Sequence, residues 1–133
     1  MGTRMTSLLL DTHTLLWWWT DDARLSAAAR QAIAAPGTRV FVSSASAWEV
    51  ATKARLGRLA GVPSVGERFG ELVAADSFEH LPVNYRHALK AGSYTQPHRD
   101  PFDRMLAAQC SLEGLTLVTS DEKMTAFEIP LFW

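Results

Sequence analysis

Four segments of the chain end or begin with a carboxylate placed where it could do chemistry. Asp11 closes the apolar run Leu8-Leu9-Leu10. Glu49 closes SSASAWE, HRDPFDR carries Asp100 and Asp103, and TSDEK carries Asp121. Carboxylates held within a few ångströms of one another repel, and burying them is costly unless a cation compensates. Oxygen-only ligation selects a hard ion, Mg2+ or Mn2+. A carboxylate cluster around Mg2+ is a site for phosphate chemistry, in which the metal activates water and stabilises the leaving oxygen. Each acid also has a plainer reading. Asp11 suits the N-cap of a following helix, Ser46-Ala47-Trp48-Glu49 fits a capping box, and Asp100-Pro101 fits an N-cap and first-turn pair. Asp103 suits a helix dipole, and Asp121 or Ser120 suits the cap of a short final helix. Taken singly, capping explains each acid as well as chemistry does. Four together, from separate segments, weaken it.

The elements that must position these acids alternate. Strands are expected at Ser7 to Leu10, Arg39 to Ser43, Phe78 to Val83, Thr116 to Thr119 and, more weakly, Glu128 to Phe132. Helices are expected at Thr14 to Trp19, Ser26 to Ala35, Ser46 to Leu56, Val65 to Ala75, Tyr85 to Ala91 and Pro101 to Leu112. Short continuous apolar strands alternating with helices predict an α/β fold whose mainly parallel sheet is covered on both faces. Ligands of such sheets bind beyond the carboxyl ends of the strands, which is where Asp11, Glu49 and Asp121 fall. Pro36-Gly37, Gly61-Val62-Pro63 and Gly92 to Pro97 read as turns, none long enough for a linker.

The totals exclude several classes. At 133 residues the chain is expected to form one domain, residues 1 to 133, with residues 1 to 4 a candidate extension ahead of Met5. Hydrophobic residues make up 47% and charged residues 20%, which argues against disorder. The single cysteine, Cys110, excludes an internal disulfide and a cysteine-rich zinc site. His13, His80, His87 and His98 show no zinc spacing. The short leucine run, broken by Asp11, is no signal peptide or membrane span, so a cytoplasmic, membrane-free protein is expected.

Together the four motifs resemble those of the PIN domain, the nuclease fold of VapC-type toxins in bacterial type II toxin–antitoxin pairs. LLLDTHTLLWW resembles the first motif, SSASAWEVATK the second, DPFDRMLAAQC the third and LTLVTSDEK the fourth. The resemblance covers essentially the whole chain. It implies a three-layer α/β/α sandwich and a Mg2+-dependent endoribonuclease, with Mn2+ able to substitute. It places Asp11, Glu49, Asp103 and Asp121 as metal-binding catalytic acids, with Thr119 the hydroxyl often found near the last. Asp100 and Ser120 are auxiliary candidates. Metal-activated water would attack an RNA phosphodiester and leave a 3′ hydroxyl and a 5′ phosphate. The implied partners are the RNA substrate, a cognate antitoxin and a second subunit in a homodimer.

Charge is compatible with RNA. The net charge is -1, but setting the four site acids aside leaves 13 basic against 10 acidic residues. Arg55, Arg58, Arg86, Lys90, His98, Arg99, Arg104 and Lys123 are rim candidates, Arg99 and Arg104 foremost because they flank the third motif. Other features read as structural. Cys110 is expected to pack among alanines, Trp48 to follow a core pattern, His13 to be hydrogen-bonded structure, and Tyr94 to pack in its loop unless it stacks a base. Trp17, Trp18 and Trp19 cannot share one helix face, so at least one is expected to face outwards or into a seam between elements. An outward tryptophan would suit an antitoxin or a second subunit. Two further readings are a PIN nuclease of RNA processing and a non-catalytic PIN-fold interaction module. LLLDT also resembles the opening of haloacid dehalogenase-type phosphatases, but His13 stands where that chemistry needs a second acid.

Overall fold

Successive side chains of a strand point to opposite faces, so Leu8-Leu9-Leu10 demands cover on both sides. The computed structural model describes residues 6–59 and 64–133 and provides that cover. Leu8 and Leu10 enter one core with Leu15, Leu25, Ile33, Val40, Val42 and Val73. Leu9 enters another with Leu106, Cys110, Leu117, Met124 and Phe127. Between the two cores lies a five-stranded parallel sheet of β1 (Ser7–Leu10), β2 (Arg39–Ser43), β3 (Glu79–Leu81), β4 (Thr116–Val118) and β5 (Leu131–Phe132). The order β3-β2-β1-β4-β5 puts β1 at the centre, where Leu9 pairs with Phe41 on one side and Leu117 on the other.

The helices are α1 (Thr12–Trp19), α2 (Ala27–Ala34), α3 (Ser44–Arg55), α4 (Val65–Ala75), α5 (Tyr85–Ser93) and α6 (Pro101–Glu113), with a 3₁₀ helix at Glu122–Phe127. Residues of α1, α2 and α4 cover one face of the sheet, and those of α6 and the 3₁₀ helix cover the other. α5 packs on α6. This is the expected three-layer α/β/α sandwich. Strand order reverses between β1 and β4, the switch point at whose carboxyl edge such sheets bind ligands. Each fully buried leucine contributes about 2 kcal/mol, so the β1 run fixes the backbone on which Asp11 is mounted. α6 ends at Gly114, whose φ of 68° closes the helix in a left-handed conformation. No described helix is long and apolar enough to cross a membrane.

Several boundaries differ from the sequence reading. β3 is Glu79–Leu81 rather than Phe78 to Val83, since Pro82 lacks the N–H to continue the ladder. β5 shrinks to Leu131–Phe132 because Glu128 is left-handed (φ 55°) and Pro130 has no donor. β4 stops at Val118, one residue short, although the Thr119 N–H still donates to the Phe132 carbonyl. α1 begins at Thr12 and α3 at Ser44, both two residues earlier than expected. The expectations for Met1 to Arg4 and for the Gly61-Val62-Pro63 turn lie outside the described residues.

The three tryptophans each find a seam, the second of the two outcomes expected. Trp18 and Trp19 donate their indole N–H groups to the same Asp76 oxygen, at 3.2 and 3.0 Å. Trp18 packs on Phe78 and Trp19 on Phe69. Trp17 packs on Trp133, with the Arg24 guanidinium 5.0 Å from its ring. The outward tryptophan is instead Trp48, 63% exposed, against the expectation that it joins the core. The packed face of α3 is Ala45, Ser46, Glu49 and Val50, and Trp48, about 100° round the helix from Glu49, falls outside it. Trp48 meets Phe102 edge to face at the rim of an apolar groove of about 380 Å³.

Candidate active site

Asp11 caps a helix and faces the carboxyl edge of the sheet at once. Its carboxylate accepts the Thr14 N–H at 2.7 Å, and its own N–H donates to the Val118 carbonyl at the end of β4. The Thr14 hydroxyl donates to the same carbonyl at 2.9 Å, tying the first motif to the fourth. Burial raises the proton affinity of the Asp11 carboxyl, opposed by the Thr119 hydroxyl and the Thr14 N–H.

The second motif is tied to the first by the Thr12 hydroxyl, which donates to Ser46 Oγ at 3.1 Å. The expected capping box at Ser46 is therefore absent. Ser43 caps α3 by accepting from the Ala45 N–H, and Glu49 lies in the second turn rather than the first. Buried there, Glu49 is paired with Lys53 one turn on, at 3.0 Å. Lys53 Nζ also lies 3.4 Å from His13 Nε2.

In the third motif Asp100 is the helix cap, accepting from the N–H groups of Phe102 and Asp103 at 2.9 and 3.2 Å. The carboxylate of Asp103, in the first turn of α6, meets His98 Nε2 at 2.8 Å. Burial pushes the Asp103 carboxyl from 3.8 up to about 6; the His98 hydrogen bond opposes the rise, and the negative charges of Asp100 and Glu49 add to it. Beyond β4, Thr119 is buried and its Oγ accepts the Asp121 N–H at 3.1 Å. Asp121 caps the 3₁₀ helix through the Lys123 N–H. Ser120 lies exposed between them.

The arrangement gathers ligand atoms of His98, Asp103 and Asp121 within 4.8 Å of one another. They line an open cavity of about 670 Å³ together with Asp100, Arg99 and Lys123. Two carboxylates and an imidazole with ligand atoms this close make up a donor set that a divalent cation would satisfy. The donor set therefore fits such an ion.

Arg104, expected at the RNA rim, is committed elsewhere. It donates to the carbonyls of Ala91, Tyr94, Gln96 and His98, using four of its five N–H donors. Its role is to hold the segment that carries His98. Tyr94 packs edge to face on Phe127, the structural reading. The thiol of Cys110, buried in α6, is pushed up to about 12, which excludes a nucleophile. Two residues of the site were not read as part of the carboxylate cluster: His98, named only as a rim candidate, and Lys53. Lys53 had a visible signal, one helical turn after Glu49. His98 had only its place in HRDPFDR, because a contact made across a helix start follows no periodicity.

The profile of the PIN domain matches residues 8–129. Ribonuclease VapC22 of Mycobacterium tuberculosis is 31% identical over 130 residues, covering 95% of each chain. Among solved structures, DNA-bound VapBC from Salmonella typhimurium matches with a TM-score of 0.66 at 19% identity, covering 96% of this chain and 98% of that one. VapBC-1 of nontypeable Haemophilus influenzae matches with a TM-score of 0.65 at 17% identity, covering 96% and 97%. At these identities the structural likeness is one of fold.

Proposed function

Given that the chain belongs to the PIN domain family, we propose that it is a Mg2+-dependent endoribonuclease and the toxin of a type II toxin–antitoxin pair. The observation that carries this reading is the convergence of His98, Asp103 and Asp121 within 4.8 Å in an open cavity flanked by Arg99 and Lys123. The ribonuclease relative supports the substrate class, and the likeness to two VapBC structures supports the partner class. The partner is a cognate antitoxin, and the active unit a homodimer.

Asp11, Glu49, Asp103 and Asp121 would hold Mg2+, with Mn2+ as substitute. Bound there, the ion supplies a Lewis acid and makes water a stronger acid, the chemistry that phosphodiester hydrolysis needs. The protein's part is placement. The β1 core and the Val118 carbonyl fix the backbone of Asp11, and Thr119 steadies both Asp11 and Asp121. Lys53 neutralises Glu49 and keeps its side chain turned to the site. Asp100 orients Asp103 by starting α6 at Pro101. Arg99 and Lys123 grip flanking phosphates of the RNA.

The test is Asp11→Asn, assayed on RNA with Mg2+ present. Cleavage is expected to fall by about a hundredfold or more, with the circular dichroism spectrum unchanged. Cleavage near the wild-type rate overturns the metal-ligand role. Co-expression with a cognate antitoxin is expected to yield an inactive complex.

A further inference from the structure

The partner of Asp103 at 2.8 Å is an imidazole, and the geometry points to His98 as a nitrogen ligand of the same ion, making the centre a mixed imidazole–carboxylate site that takes Mn2+ more readily than an all-oxygen site would. The inference rests on the metal-nuclease reading above and concerns which ion that site prefers. Donors on adjacent corners of an octahedron with bonds of about 2.1 Å stand about 3 Å apart, and those on opposite corners about 4.2 Å apart. The 2.8 Å between His98 Nε2 and Asp103 Oδ2 is close to the adjacent-corner spacing, and a ligand atom of Asp121 lies within 4.8 Å of both.

His98 is held for this role. Its side chain is only 11% exposed, and its ring packs edge to face on the core residue Phe127. Arg104 fixes its backbone by donating to the His98 carbonyl at 2.9 Å and to the Gln96 carbonyl at 3.2 Å. Nε2 is the ring nitrogen that faces the Asp103 carboxyl. As a ligand the ring would offer its Nε2 lone pair, with its remaining proton on Nδ1. Imidazole suits the transition ions, whereas Mg2+ is served by carboxylate, carbonyl and water oxygens. One nitrogen among the ligands thus shifts preference towards Mn2+ without excluding Mg2+.

The experiment uses the full chain stripped of metal, titrated with Mn2+ and with Mg2+, followed by pulsed electron paramagnetic resonance of the Mn2+-loaded protein. Imidazole ¹⁴N coupling is expected in the wild type and is expected to vanish in His98→Gln. In that variant Mn2+ affinity should fall about tenfold, with Mg2+ affinity changed by less than about threefold. Wild-type Mn2+ binding without nitrogen coupling, or coupling that survives in His98→Gln, overturns the proposal and leaves His98 as a hydrogen-bonding partner of Asp103. The wild-type spectrum decides even where the variant folds poorly. Failure of the wild type to bind either ion overturns the metal-nuclease reading itself, a different result from binding without nitrogen.

Discussion

Replacing Asp103 with asparagine is expected to destroy activity and yet stabilise the fold at neutral pH. The Asp103 carboxyl moves from 3.8 to about 6 in the folded protein, chiefly through burial, with Asp100 and Glu49 adding to it against the His98 hydrogen bond. Below 3.8 both folded and unfolded chains carry the proton. Between 3.8 and about 6 only the folded chain does, so stability falls as pH rises through that window. Above about 6 the full cost is present, at most about 3 kcal/mol at about 1.4 kcal/mol per pKa unit. The side chain is 24% exposed, so screening reduces this to about 2 kcal/mol. The asparagine side chain carries no charge, but its weaker hydrogen bond to His98 loses about 1 kcal/mol. The net expectation for Asp103→Asn without metal is a gain of about 1 kcal/mol at pH 8 and a loss of about 1 kcal/mol at pH 4. Urea unfolding at the two pH values measures the difference. Added Mg2+ or Mn2+ should reverse the order at pH 8, because the ion stabilises the ionised acid. A variant destabilised equally at pH 8 and pH 4 refutes the reasoning, since the cost of ionised Asp103 would then be absent.

Other consequences are more local. Arg104→Ala should lose about 2–4 kcal/mol by leaving four carbonyls without their donor, and Arg104→Lys should not restore it, because an ammonium cannot span them. Arg99→Ala, by contrast, should leave thermal stability unchanged while weakening RNA binding and lowering its salt dependence. Asp76→Ala should cost about 1–3 kcal/mol and shift tryptophan fluorescence, as two indole N–H groups lose their shared acceptor. Asp76→Asn, which keeps an acceptor oxygen, should cost less in the same urea titration.

Much of this protein was legible in its sequence because the signals were local. An apolar strand ending in an acid, a cap residue before proline and alternating strand and helix patterns each follow from chemistry within a few residues. Four such motifs in order were enough for the fold and the family, and they nominate the four acids. What lay beyond reach depended on register and on contacts across the fold. Starting α3 two residues early moved Ser46 from a cap to a buried partner of Thr12, and packing of the Ala45, Ser46, Glu49 and Val50 face left Trp48 outwards. Arg104 looked like a surface cation until the carbonyls of the 91–98 segment folded over it. His98 stood apart from any ligand pattern until the start of α6 brought it to Asp103. Local propensity determined the elements and the acids they carry. Tertiary packing alone decided which polar groups those acids meet, because such meetings depend on distances between segments that no periodicity records.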